Sequence, residues 1–131
     1  MLRLHIDPTA AEPIWHQIEN GFRRLIASQA LSRGEPLPSV RDLARELRIN
    51  PATVAKAYRR LCDAGVLTVR RGQGTYVYDG VPKFTKAQRD RQLTDAAERY
   101  ASIALTMGAT REESQVHIDS AWARLIKLQE Q

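Results

Sequence analysis

Between Leu37 and Val77 the hydrophobic positions change period, and each period predicts a different element. Val40, Leu43, Ala44 and Leu47 recur at helical spacing, as do Val54, Ala57, Tyr58 and Leu61, so each set lines one face of a short helix. Ser39 stands where its hydroxyl can accept the N–H of Asp42, whose carboxylate suits the positive end of a helix. Asn50 followed by Pro51 is an N-cap with proline at the one position where a missing N–H costs nothing. The second helix is therefore expected over 51–63. Arg48, Ile49 and Asn50 form a turn short enough to hold the two helices at a steep angle. Past Gly65, two β-rich runs flank Arg70-Arg71-Gly72-Gln73-Gly74, which predicts a hairpin over 66–78 with both arginines at its tip and glycines supplying positive φ.

On either side the pattern is simpler. Residues 2–6 alternate and predict a short strand, and 7–12 a connector. Pro13 opens a helix striped by Ile14, Ile18, Phe22 and Leu25 with Trp15 at the border, and Gly34 and Pro36 end it. Beyond Asp79 the composition shifts to a linker, 80–84. Thr85 with Gln88 then makes a capping box, and Leu93, Ala96, Ala97, Tyr100, Ala104 and Met107 form the stripe of a helix that Gly108 stops. Thr110 with Glu113 opens a last helix striped by Ile118, Ala121, Trp122, Leu125 and Leu128. The expected fold is mainly α with a small β-wing: a winged helix-turn-helix over 1–79, then a short helical segment over 85–131. Two amphipathic helices cannot enclose a ligand cavity, but they can bury their stripes against each other and a second copy. Leu93, Ala97, Tyr100, Ala104, Ile118, Trp122 and Leu125 are the candidate homodimer contacts; packing back onto the winged domain is the alternative.

Charge turns this architecture into a functional expectation. The 131 residues carry 20 Lys or Arg and 15 Asp or Glu, net +5. From Arg33 to Arg71 there are nine cations and four anions, 9 − 4 = +5, leaving eleven of each elsewhere. All the excess lies in the winged stretch, as expected of a surface that neutralises phosphates and releases counterions. The outer face of the second helix carries Ala52, Thr53, Lys56, Arg59 and Arg60. Small and polar residues in its first turn suit a helix whose N-terminal end enters a major groove, with Lys56 reaching a phosphate or guanine. Arg41 is placed to reach the backbone or groove edge, though a surface pair with an acid such as Glu46 would also fit. A basic wing tip can lie along phosphates or enter a minor groove.

The run LPSVRDLARELRINPATVAKAYRRLCDAGVLTVRRGQGTYV, with the lead-in LRLHIDPTAAEPIWHQIENGFRRLIASQAL, resembles the DNA-binding domain of the GntR family of bacterial transcription regulators over roughly the first 80 residues. The short tail is similar to the YtrA-like subfamily, whose small helical segment dimerises. The resemblance implies DNA contacts at Arg41, Asn50, Ala52, Thr53, Lys56, Arg71 and Gly72, to which the hairpin tip adds Arg70 and Gln73. It also implies control of transporter operons. Many relatives place an arginine where this chain has Pro51 or Ala55, so base preference does not transfer.

Other classes fit poorly. Gly72-Gln73-Gly74 leads into a strand and lacks the helix N-terminus of a phosphate-binding loop. His5, His16 and His117 match no zinc spacing, and no serine, histidine and acid grouping has motif context, so no metal, cofactor or enzymatic activity is expected. Cys62, the single cysteine, reads as a structural thiol in a reducing compartment rather than a redox sensor. No apolar run approaches the roughly 20 residues of a membrane span. The expectation is a cytoplasmic, homodimeric repressor, nucleoid-associated when bound to an inverted-repeat DNA operator. Its small-molecule effector, if it has one, is not legible. The competing expectation is a winged-helix interaction module within a larger complex.

Overall fold

The computed structural model describes residues 4–80 and 84–129. It contains α1 (Ile14–Ala27), α2 (Val40–Leu47), α3 (Pro51–Asp63), β1 (Leu67–Arg70), β2 (Gly74–Val77), α4 (Lys86–Thr106) and α5 (Arg111–Gln129). The chain divides into two compact units, Met1–Pro82 and Lys83–Gln131.

In the first unit the helix starts are set by local chemistry. The Ser39 hydroxyl accepts the Asp42 N–H at 3.0 Å, and Asn50 Oδ1 accepts the Ala52 N–H at 2.9 Å. Arg48 closes α2 in the left-handed region, φ 58° and ψ 48°, and this sharp reversal is the turn between α2 and α3. The core is one cluster to which every element contributes: Ile18 and Phe22 from α1, Leu43 and Ala44 from α2, Val54, Ala57, Tyr58 and Leu61 from α3, and Leu67 and Val77 from the hairpin. Each large side chain among them contributes about 1.5–3 kcal/mol through burial. Tyr58 meets Phe22 edge to face at 5.7 Å and donates its hydroxyl to the Pro38 carbonyl at 2.8 Å, which brings α1, α3 and the start of α2 together.

The hairpin pairs Leu67 with Val77 through Arg70 with Gly74, antiparallel. Its other edge is taken by the segment after α1: the Leu37 N–H donates to the Thr75 carbonyl, the Val77 N–H to the Glu35 carbonyl and the Gly34 N–H to the Val77 carbonyl. The strand expected over 2–6 is absent from its described part, residues 4–6; residues 2 and 3 lie outside the described residues. With that edge of β2 occupied, the N-terminal connector is pinned by a buried side chain: Gln17 donates to the Asp7 and Glu12 carbonyls and accepts the Asp7 N–H. Leu4 docks on α1 over Gly21, where a Cβ would fall 2.5 Å from Leu4 Cδ2.

In the second unit Thr85 and Gln88 close a reciprocal capping box on α4, and Thr110 accepts the Glu113 N–H at the start of α5. Gly108, at φ 74°, ends α4. The expectation that the two stripes bury against each other is not met, for α4 and α5 hardly meet beyond their connecting turn. Tyr100 donates to the Ser114 carbonyl at 2.9 Å and Ala104 is buried, but Leu93, Ile103, Leu105, Met107, Val116, Ile118, Trp122, Ile126 and Leu128 stay exposed. The helices are joined by a four-residue connection, 107–110, with Gly108 at positive φ, and their contact is at its root, at Tyr100 and Ala104. Residues 81–83 of the expected linker lie outside the described residues.

Candidate nucleic-acid interface

The outer face of α3 is set by the residues its inner face buries. With Val54, Ala57, Tyr58 and Leu61 turned to the core, Ala52, Lys56 and Arg59 are exposed, and Thr53 and Ala55 are half-buried at the margins. Asn50 spends Oδ1 on capping, yet its side chain is exposed and its amide has no acceptor among the described residues. Arg41, exposed on the first turn of α2, makes no ion pair among the described residues; the surface pair found on α2 is Arg45 with Asp42, at 3.7 Å.

Two cations of α3 have an intramolecular partner that the sequence pattern did not indicate. Lys56 Nζ lies 4.4 Å from the centre of the Trp15 ring and Arg60 Cζ 4.6 Å from it. Arg60 Nε also donates to Glu19 at 3.2 Å. Nothing in a single-helix pattern signals such contacts, because they depend on how α1 crosses α3.

The wing departs from its expectation in one respect. Arg70 closes β1 opposite Gly74 instead of standing at the tip, and it is engaged by the Tyr76 ring at 4.2 Å and by Asp79 at 3.3 Å. The tip is Arg71, Gly72 and Gln73, all exposed, with the Gln73 N–H donating to the Arg70 carbonyl. Gly72 has φ 75° and open space around it, so its role is conformational: it lets the turn reverse without strain.

The remaining chemistry is sparse. Cys62 is half-buried, and burial followed by the charge of Asp63 raises its pKa, which disfavours the reactive thiolate. His16 pairs with Glu12 at 2.9 Å, while His5 and His117 are exposed. Among the described residues no group of three or more His, Cys, Asp or Glu is placed to hold a metal ion, and no helix is long and apolar enough to cross a membrane.

Comparison with known proteins places this geometry. Residues 15–77, from Trp15 through the end of the wing, match the model of the bacterial regulatory proteins of the gntR family. The chain is 34% identical over 110 residues to the HTH-type transcriptional repressor YtrA of Bacillus subtilis (strain 168), covering 78% of this chain and 83% of that one. It belongs to the GntR family. Among solved structures, YtrA from Sulfolobus acidocaldarius, a GntR-family transcription factor, matches at TM-score 0.59 and 30% identity over 92% of this chain and 97% of that one. A Listeria monocytogenes EGD-e protein described as a transcriptional antiterminator matches at TM-score 0.81, over 95% of this chain and 92% of that one; at 23% identity it speaks for the fold alone. This GntR chain is thus a DNA-binding transcription regulator of YtrA-like kind, with a winged helix-turn-helix, and not an enzyme.

Proposed function

We propose that this GntR regulator is a cytoplasmic homodimeric repressor that binds an inverted-repeat operator, with α3 of each protomer in a major groove and each wing beside it. The winged part, 1–79, reads DNA; the helical part, 85–131, dimerises. Ala52 and Thr53 meet base edges, with Asn50 at the helix start. Lys56 adds charge from the α1 side, Arg41 meets the flanking phosphates, and Arg71, Gly72 and Gln73 follow the backbone, steadied by Arg70. Repression follows from an operator that overlaps a promoter, in keeping with the repressor to which the chain is similar. The YtrA-like resemblance extends the proposal to a transporter operon.

The observation that carries the dimer is the uncovered apolar surface of the second unit, where Trp122 is 71% and Leu93 59% exposed. Continuous apolar surface of this kind on a soluble chain marks an interaction site. Leu93, Ala97, Tyr100, Ala104, Ile118, Trp122 and Leu125 are assigned to the seam, Tyr100 and Ala104 at its root and the rest along the open stripes. Selecting bound sequences from a random duplex pool tests the proposal. Two inverted half-sites about one helical turn apart, roughly 10 base pairs, are expected. Enrichment of a single half-site, or none, would count against it.

A further inference from the structure

We infer that Arg59 is the cation through which α3 grips DNA, and that Trp15 of α1 assigns Lys56 and Arg60 to holding the recognition helix in place. The inference rests on the proposed docking of α3 in a major groove and adds a contact to it. Three cations lie on the outer half of α3: Lys56, Arg59 and Arg60. Two are spoken for, since both lie within 5 Å of the Trp15 ring centre, at 4.4 Å and 4.6 Å, and Arg60 is also fixed to the buried Glu19. Moving either toward a phosphate gives up a cation–π contact and, for Arg60, leaves a buried carboxylate without its partner.

Arg59 differs on each count. It is exposed, and it has no ion pair, hydrogen bond or ring contact among the described residues, including with Asp63 one turn further on. It also shares a face with Ala52, seven residues or two turns earlier, which places it about 10.5 Å along the helix axis from the residue at the groove floor. The major groove is about 12 Å wide. A helix entering by its N-terminal turn therefore brings position 59 to the rim, where the groups within reach are phosphate oxygens. Arginine can meet these with two parallel hydrogen bonds. A rim phosphate contact adds affinity without base preference.

The division of labour predicts opposite behaviour in two variants of the full-length chain, each measured for thermal stability and for duplex binding across a salt series. The duplexes are an operator obtained by selection and a scrambled one of equal length. Arg59→Ala should leave the melting temperature unchanged, weaken both duplexes by the same factor, and flatten the plot of log affinity against log salt by about 0.9 per protomer. Lys56→Ala should lower the melting temperature and change the slope by less than half that amount. An unchanged slope in Arg59→Ala, with the unaltered protein binding normally, overturns the inference and leaves the proposed function standing. So does a full loss of slope in Lys56→Ala. An unaltered protein that binds neither duplex overturns both together.

Discussion

Arg60 of the recognition helix donates from Nε to Glu19 of α1 across 3.2 Å, and of the two it is Glu19 that is buried, its side chain 8% exposed against 50% for Arg60. The asymmetry decides what each substitution does. Arg60→Ala strands a carboxylate in the interior, whereas Glu19→Gln leaves a neutral acceptor beside an arginine that water still reaches. Removing one partner of a fully buried pair costs about 3–5 kcal/mol, and the exposure of Arg60 lowers the expectation for Arg60→Ala to about 1–3 kcal/mol. Glu19→Gln should cost less than about 1.5 kcal/mol. Urea unfolding of the two variants checks the order; equal losses would show that burial of Glu19 does not control the pair.

Tyr58 joins α3 to the chain before α2 through its hydroxyl. Tyr58→Phe removes that bond alone and should cost about 0.5–1.5 kcal/mol, while Tyr58→Ala also loses the buried ring and should cost about 3–5 kcal/mol. Burial, and to a lesser degree the charge of Glu46, raises the Tyr58 pKa above its usual 10.0. The folded state thus holds the phenol proton more tightly than the unfolded chain does. The resulting stability is fully present below pH about 10 and is lost as pH rises from there toward the higher folded value. Cys62, also raised, acts in the same direction from its usual 9.0. Alkaline unfolding followed by circular dichroism should be shallower in Tyr58→Phe than in the unaltered protein.

At Arg48 identity and backbone disagree. It occupies the left-handed region at the helix-turn-helix corner, which costs an L-residue about 1–2 kcal/mol. Arg48→Gly should therefore be tolerated without loss of stability. Arg48→Val, whose branched Cβ fits that region worst, should be destabilising by about 1–2 kcal/mol. Thermal melts of the pair, read against the unaltered chain, check the ordering.

The exposed stripes of the second unit predict that charge inserted there separates protomers. Trp122→Glu, or Leu93→Glu on α4, should shift the full-length chain from dimer to monomer in sedimentation velocity and weaken operator binding, with little change in the melting of the winged unit. A dimer that survives both changes would place the seam elsewhere.

Much of the winged unit was legible because its signals are local. Ser39 and Asn50 with Pro51 mark helix starts by chemistry confined to three or four residues and act as that chemistry requires, as do Thr85 with Gln88 in the second unit. The stripe Val54, Ala57, Tyr58 and Leu61 is buried as its period implies. What escaped the sequence depends on contacts between distant segments. The Trp15 ring under Lys56 and Arg60 depends on how α1 crosses α3. The hold of Asp79 on Arg70 depends on the hairpin register. Residues 4–6 form no strand; Gln17 holds the connector, and the edge of β2 is taken by the segment around Glu35 and Leu37, contacts that also lie between distant segments. The openness of α4 and α5 was also hidden, because an apolar stripe specifies that it must be covered and not by what.

In the proposed function α3 and the wing read a particular duplex sequence. The most direct test compares the affinity of the full-length protein for a selected operator with that for a scrambled duplex of the same length, at one fixed salt concentration. Operator binding is expected to be tighter by at least about 10³. Equal affinity for the two duplexes, or none for either, would contradict it.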